Sequence, residues 1–151
     1  MLLEADPFAG LEHEPLDETP LFFVEKPDGD AASEIQRIVM FKRLLRLAAP
    51  KCWIVGIPNA GKRGQWALNQ AKREGAVWGF PDMMVLAPSA NPHVHIPVIA
   101  YLEWKDGKGR PASHQIDALN RLHRMGFPCG VFRQAETALR FLREQGFPFD
   151  A

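Results

Sequence analysis

"PDMMVLAPSANPHVHIPVIAYLEWK", residues 81–105, holds two short apolar runs, 82–87 and 98–105, separated by a stretch rich in proline and histidine. Each run carries a carboxylate: Asp82 opens the first and Glu103 lies near the end of the second. Their length and their proline-marked borders read as two strands, and Pro81 suits a strand start because it has no N–H to contribute and its φ is fixed. The stretch 88–97 is long enough to return the chain, so the two strands are expected to pair as neighbours. In a strand, side chains two apart share a face, so Glu103 and Lys105 project together, with Cα atoms about 6.6 Å apart. Leu102 and Trp104 then point the other way, into apolar packing.

Helical patterns surround this pair. Ser33 and Gln36 form a capping-box pair, and Ile38, Phe41, Leu45 and Ala48 recur at helical spacing until Pro50, with Glu34 at the head of the stripe. "CWIVGI" (52–57) reads as a strand, "QWALNQAKRE" (65–74) as a helix closed by Gly75, and "ASHQIDALNRLHRMG" (112–126) as a helix ending at Gly126. "CGVFR" (129–133) is a further strand and "AETALRFLREQG" (135–146) the last helix. Strands alternating with helices imply an α/β fold with a mixed central sheet flanked by helices. Residues 31–151 are expected to form one domain. Residues 1–30, with Pro7, Pro15, Pro20 and Pro27 among acids, are expected to form an irregular arm packed through Phe22 and Phe23.

The chain has 151 residues, 46% of them hydrophobic, enough for a single core of ordinary size. Cys52 and Cys129 stand far apart without a CxxC pair, so neither a disulfide framework nor a zinc knuckle is indicated. No stretch reaches the ~18 apolar residues of a membrane span. The expectation is a soluble cytoplasmic protein. The formal net charge is zero, yet residues 1–33 hold nine acids against one base, which leaves residues 34–151 with 17 bases, 9 acids and a net charge of +8. A polyanion meets that local field, not the average. Charge excess alone is equally compatible with solvated helix faces.

A carboxylate inside an apolar strand costs free energy unless it is paired or bound to a metal. Glu103 with Lys105 alone is satisfied by a structural ion pair at a strand end. Asp82 on a neighbouring strand changes the reading, because Asp82 and Glu103 then bring oxygens to one point. With the Trp104 backbone carbonyl they form a partial oxygen shell for Mg²⁺ or Mn²⁺, to which Glu34 adds a third acid, directly or through water. Lys105 beside such a centre offers a fixed positive charge to a phosphoryl transition state.

"GFPD" followed about 20 residues later by "EWK", then "DGKGR" and "SHQ", resembles the VRR-NUC (virus-type replication-repair nuclease) branch of the PD-(D/E)xK nucleases over residues 33–146. The resemblance implies a restriction-endonuclease-like αβββαβ core and metal-dependent hydrolysis of DNA phosphodiesters. It implies that Asp82 and Glu103 hold Mg²⁺ or Mn²⁺, that Lys105 assists the attacking water, that Glu34 is the acid of the first helix, and that Gln115 is the glutamine that turns the following helix toward the site. It further implies a replication, recombination or repair nuclease of a bacterial or phage-infected cell. Junction or flap DNA would be the substrate and a homodimer the form that resolves junctions. Lys108 and Arg110 in "DGKGR", together with Lys62, Arg63, Lys72, Arg73 and His114, are the expected phosphate contacts; each is otherwise a plain solvated turn or helix residue.

Other classes compete. "GIPNAGKR" (56–63) nearly spells a phosphate-binding loop, but Arg63 stands where a Ser or Thr hydroxyl would bind Mg²⁺, so no nucleotide cofactor is expected. His93 and His95 lack a third ligand nearby and read as surface loop residues. Met83, Met84, Trp53, Trp66 and Trp78 read as packing residues. A non-cleaving DNA-binding subunit built on a nuclease fold is the alternative that keeps the fold and abandons the chemistry.

Overall fold

The structure, a computed structural model of the chain, describes residues 16–58, 69–70, 73–75 and 77–150. Among these residues the elements run β1 (Phe23–Val24), α1 (Glu34–Ala48), β2 (Trp53–Gly56), β3 (Met83–Ala87), β4 (Val98–Trp104), α2 (Ser113–Arg124), β5 (Cys129–Phe132) and α3 (Ala135–Glu144). The five strands form one sheet in the order β1-β5-β4-β3-β2. β3 runs antiparallel to both β2 and β4, whereas β5 runs parallel to both β4 and β1. The result is the expected mixed α/β sheet, and α1-β2-β3-β4-α2-β5 is the expected αβββαβ order. Residues 69, 70 and 73 are helical, with the Glu74 N–H donating to the Gln70 carbonyl at 3.1 Å; the rest of the helix expected over 65–74 lies outside the described residues.

α1 begins where the sequence places its cap. Ser33 Oγ accepts the Gln36 N–H at 3.2 Å while Gln36 Oε1 accepts the Ser33 N–H at 2.8 Å. Its buried row is Arg37, Phe41 and Leu45, so an arginine heads the stripe that the apolar spacing alone would start at Ile38. α1 and α3 cover one face of the sheet, where Phe41, Leu45, Leu102, Trp104, Phe132 and Leu142 form the larger core. α2 covers the other face through Leu119 and Leu122, against Val131, Cys129 and Phe22. The strand alternation is as expected: Ala100, Leu102 and Trp104 enter the first core, and Tyr101 enters the second. Full burial of large side chains such as Phe41, Trp104 and Phe132 contributes about 1.5–3 kcal/mol each.

The described part of the arm, residues 16–30, is irregular save for one short strand. Residues 23 and 24 add a parallel edge strand, with Phe23 opposite Gly130 and Val24 opposite Val131. Gly130 permits this approach: a Cβ there would lie 2.9 Å from the Phe23 carbonyl oxygen. Phe22 is buried, and the Phe23 ring lies 5.6 Å from that of Phe132. Both cysteines are free, Cys129 buried and Cys52 half-buried, and burial pushes each thiol up to about 11. Among the described residues no helix is long and apolar enough to cross a membrane.

Candidate active site

The β3–β4 register assembles the site. Met83 pairs with Leu102, and continuing one step past that pair sets Asp82 opposite Glu103. The Asp82 N–H donates to Glu103 Oε2 at 3.2 Å, and the Trp104 N–H donates to Asp82 Oδ2 at 3.2 Å. Each carboxylate is thus oriented by the other strand's backbone. The Asp82 carbonyl accepts the Ile57 N–H at 2.8 Å, which ties the end of β2 to the same point.

Glu103 is only 2% exposed and faces α2. There the Gln115 side-chain amide donates to Glu103 Oε1 at 2.7 Å, while Gln115 Oε1 accepts the Ala112 N–H at 2.9 Å. Gln115 thereby joins two tasks, capping the first turn of α2 and holding Glu103. Lys105 is half-buried, with Nζ 3.8 Å from Glu103 Oε1. Burial, reinforced by the charge of Asp82 and opposed by that of Lys105, pushes the Glu103 carboxyl up to about 9. A buried carboxylate facing a second one is a site that favours a cation.

Asp82, Glu103, Lys105 and Gln115 therefore meet at one end of the sheet. Among the described residues no group of three His, Cys, Asp or Glu side chains is placed to hold a metal ion directly, and Glu34 is half-buried in the first turn of α1. Lys108, Arg110 and His114 are exposed around the site, and Arg73 is exposed in the short helical stretch at 69–73. Lys62, Arg63 and Lys72 lie outside the described residues. His93 and His95 are exposed in the β3–β4 connection.

Several residues that hold the site are not evident from sequence. Gly79 has φ +77°, and a Cβ on it would lie 2.5 Å from the His114 backbone, so the turn before Asp82 packs directly on the start of α2. This gives the first letter of "GFPD" a physical reason. Beside it, the Trp78 and His114 rings meet edge-on at 5.7 Å. Arg37 and Arg133 are buried, 6% and 1% exposed. Their partners come from the arm: Arg37 grips Asp28 through two nitrogens at 2.7 and 3.1 Å, and Arg133 Nε donates to the Glu25 backbone carbonyl at 3.0 Å while its backbone N–H donates to Glu25 Oε2 at 2.6 Å. The Arg37 guanidinium and the Asp30 N–H together hold the Asp28 carboxyl well below the usual carboxylate range.

No family model and no curated protein matches the chain. Among solved structures, one described as a "VRR_NUC domain protein" is similar to it at a TM-score of 0.56 and 15% identity, over 77% of this chain and 89% of that one. The chain accordingly has the VRR-NUC fold, a restriction-endonuclease-like α/β fold.

Proposed function

We propose that the protein is a metal-dependent endonuclease that hydrolyses DNA phosphodiester bonds, acting on branched DNA such as junctions or flaps, with a homodimer as the working form. The observation that carries this reading is the Asp82–Glu103 pair, two carboxylates locked face to face with Lys105 Nζ 3.8 Å from one of them. The donor set fits a hard cation: two carboxylates and the Trp104 carbonyl are oxygen ligands of the kind Mg²⁺ or Mn²⁺ accepts, with water and phosphate completing the shell. When bound, that cation polarises the scissile phosphate and makes a water nucleophilic at neutral pH.

The chain's own residues do the rest. Gln115 holds Glu103 by a hydrogen bond to one carboxylate oxygen, which would keep that side chain in place for a bound cation. Lys105 presents an ammonium where charge builds on the phosphate and helps orient the attacking water. Glu34, in the first turn of α1, adds negative charge on the approach from that helix. Lys108, Arg110 and His114 hold neighbouring phosphates, as do Arg73, Lys62, Arg63 and Lys72; such contacts place the duplex without reading its sequence.

The test is a panel of labelled duplex, flap, splayed and four-way DNA, incubated with the protein in Mg²⁺, Mn²⁺ or EDTA. Cleavage with either metal and none in EDTA is the expected result. Binding without cleavage on every substrate would replace the proposal with that of a non-cleaving DNA-binding subunit. Light scattering on the same sample decides between monomer and dimer.

A further inference from the structure

We propose that the acidic arm, residues 25–30, is a working part of the active site, and that Arg133 and Gly107 are positioning residues that set Lys105 through the loop that follows it. The proposal rests on the endonuclease reading above. The backbone is held at three successive residues. The Lys105 N–H donates to the Phe132 carbonyl at 3.0 Å, the Asp106 carbonyl accepts Arg133 NH1 at 2.6 Å, and the Gly107 carbonyl accepts the Gly29 N–H at 3.0 Å. Asp106 then folds the loop back on itself, its Oδ1 accepting the Lys108 N–H at 3.0 Å and the Gly109 N–H at 2.5 Å. That turn determines which way Lys108 and Arg110 face.

Arg133 is fixed in turn by the arm. Its Nε donates to the Glu25 carbonyl at 3.0 Å, and the same carboxylate that accepts its backbone N–H also accepts those of Gln134 at 3.0 Å and of the Thr137 hydroxyl at 2.8 Å. The Arg133 carbonyl accepts Arg37 NH1 at 2.8 Å, and Arg37 is clamped by Asp28. A continuous chain of hydrogen bonds thus runs from Asp28 through Arg37 and Arg133 to the residue after Lys105. The arm lies directly on the loop: Gly107 is buried, and a Cβ there would come within 2.2 Å of the Asp30 carbonyl oxygen.

Stability alone does not call for this design. Burying two guanidinium groups is costly, and apolar residues of similar volume commonly serve as well or better. What guanidinium donors add is direction, because each N–H fixes one carbonyl in place. The carbonyl fixed by Arg133 belongs to the residue adjoining Lys105, and a displacement of about 1 Å at a reacting group is worth about 100-fold in rate.

The experiment uses the full chain carrying Gly107→Ala, Arg133→Lys or Asp28→Asn, with kcat and KM measured on the best-cleaved DNA. The lysines are isotopically labelled, so that the Lys105 side-chain signal, assigned by its loss in Lys105→Ala, is followed by NMR. The expected result is a fall in kcat of about 100-fold for Gly107→Ala, with KM within about 3-fold of the parent and a shifted Lys105 signal. Arg133→Lys and Asp28→Asn shift the same signal by less. Unchanged kcat with an unmoved Lys105 signal overturns the proposal, as does a lowered melting temperature with no shift of that signal. If Gly107→Ala does not fold, the other two variants decide by the same criteria. If the wild-type chain cleaves nothing, the endonuclease reading falls; the Lys105 signal still decides whether the arm sets that lysine.

Discussion

Asp82 and Glu103 face each other across β3 and β4, each carboxylate accepting a backbone N–H from the opposite strand at 3.2 Å. This reciprocal grip gives the carboxylates a defined separation without a bound cation, and it means that neither moves without disturbing the other. The pair and the elements that hold it set how the chain should respond to pH, metal and substitution.

The first response is to pH and metal. The Glu103 carboxyl is raised from its ordinary value of 4.5 to about 9, so the folded chain holds a proton that the unfolded chain has released. This contribution to stability is present in full below about 4.5 and is lost as the pH rises toward about 9. Divalent cations need the ionised form and compete with that proton. The melting temperature without metal should therefore fall between pH 5 and 9 more steeply in the parent than in Glu103→Gln, measured by calorimetry in EDTA. The rise in melting temperature on adding Mn²⁺ should grow over the same range and vanish in Glu103→Gln.

The second concerns Gly79. Its φ of +77° and its contact with the His114 backbone leave no room for a side chain. Gly79→Ala should cost about 2 kcal/mol or more by urea denaturation, from left-handed backbone strain of about 1–2 kcal/mol with the clash added. Because the clash is with the first turn of α2, it should also displace Gln115 and reduce cleavage beyond the loss of folded protein.

Trp104 supplies a third. Among the described residues its indole Nε1 is the one buried side-chain nitrogen or oxygen without a hydrogen-bond partner. An unsatisfied buried donor costs about 1–3 kcal/mol. Trp104→Phe removes that cost and gives up packing against Phe41 and Phe132, whose rings lie 5.1 and 6.2 Å away. The two effects are of similar size and opposite sign, so the unfolding free energy should change by less than about 1 kcal/mol, against about 3–5 kcal/mol for Trp104→Ala.

A fourth concerns DNA contacts. Lys108 and Arg110 are exposed at the loop beside the site. Replacing either with Ala should weaken binding equally across sequences and lower the slope of log K against log salt by about 1. An unchanged slope in a filter-binding series would remove that residue from the interface.

The central pair was legible because strand geometry is periodic. The alternation of 101–105 puts Leu102 and Trp104 on one face and Glu103 and Lys105 on the other, and proline-bordered runs announce two adjacent strands. The Ser33–Gln36 cap was legible for a similar reason, since both partners lie within one turn. What sequence reading missed are contacts between residues far apart in the chain. β1 is two residues long, too short for any period, and exists because β5 lies open beside it. Arg37 and Arg133 show no local sign of burial: Asp28 meets the first guanidinium, and the Glu25 and Asp106 carbonyls meet the second. Ion pairs with the arm also revise the reading of charge: part of the body's +8 is already met there, Arg37 by Asp28 and Arg124 by Asp17. The double role of Gln115 depends on α2 starting beside Glu103, which no local pattern states.

The most direct measurement is single-turnover cleavage of the preferred DNA in Mg²⁺ by the wild-type chain, Asp82→Ala and Lys105→Ala, each checked for folding by circular dichroism. The account predicts cleavage by the wild type and a fall of about 100-fold or more in both variants, with DNA binding retained. Cleavage by folded Asp82→Ala at the wild-type rate, or none by the wild type on any substrate, would contradict it.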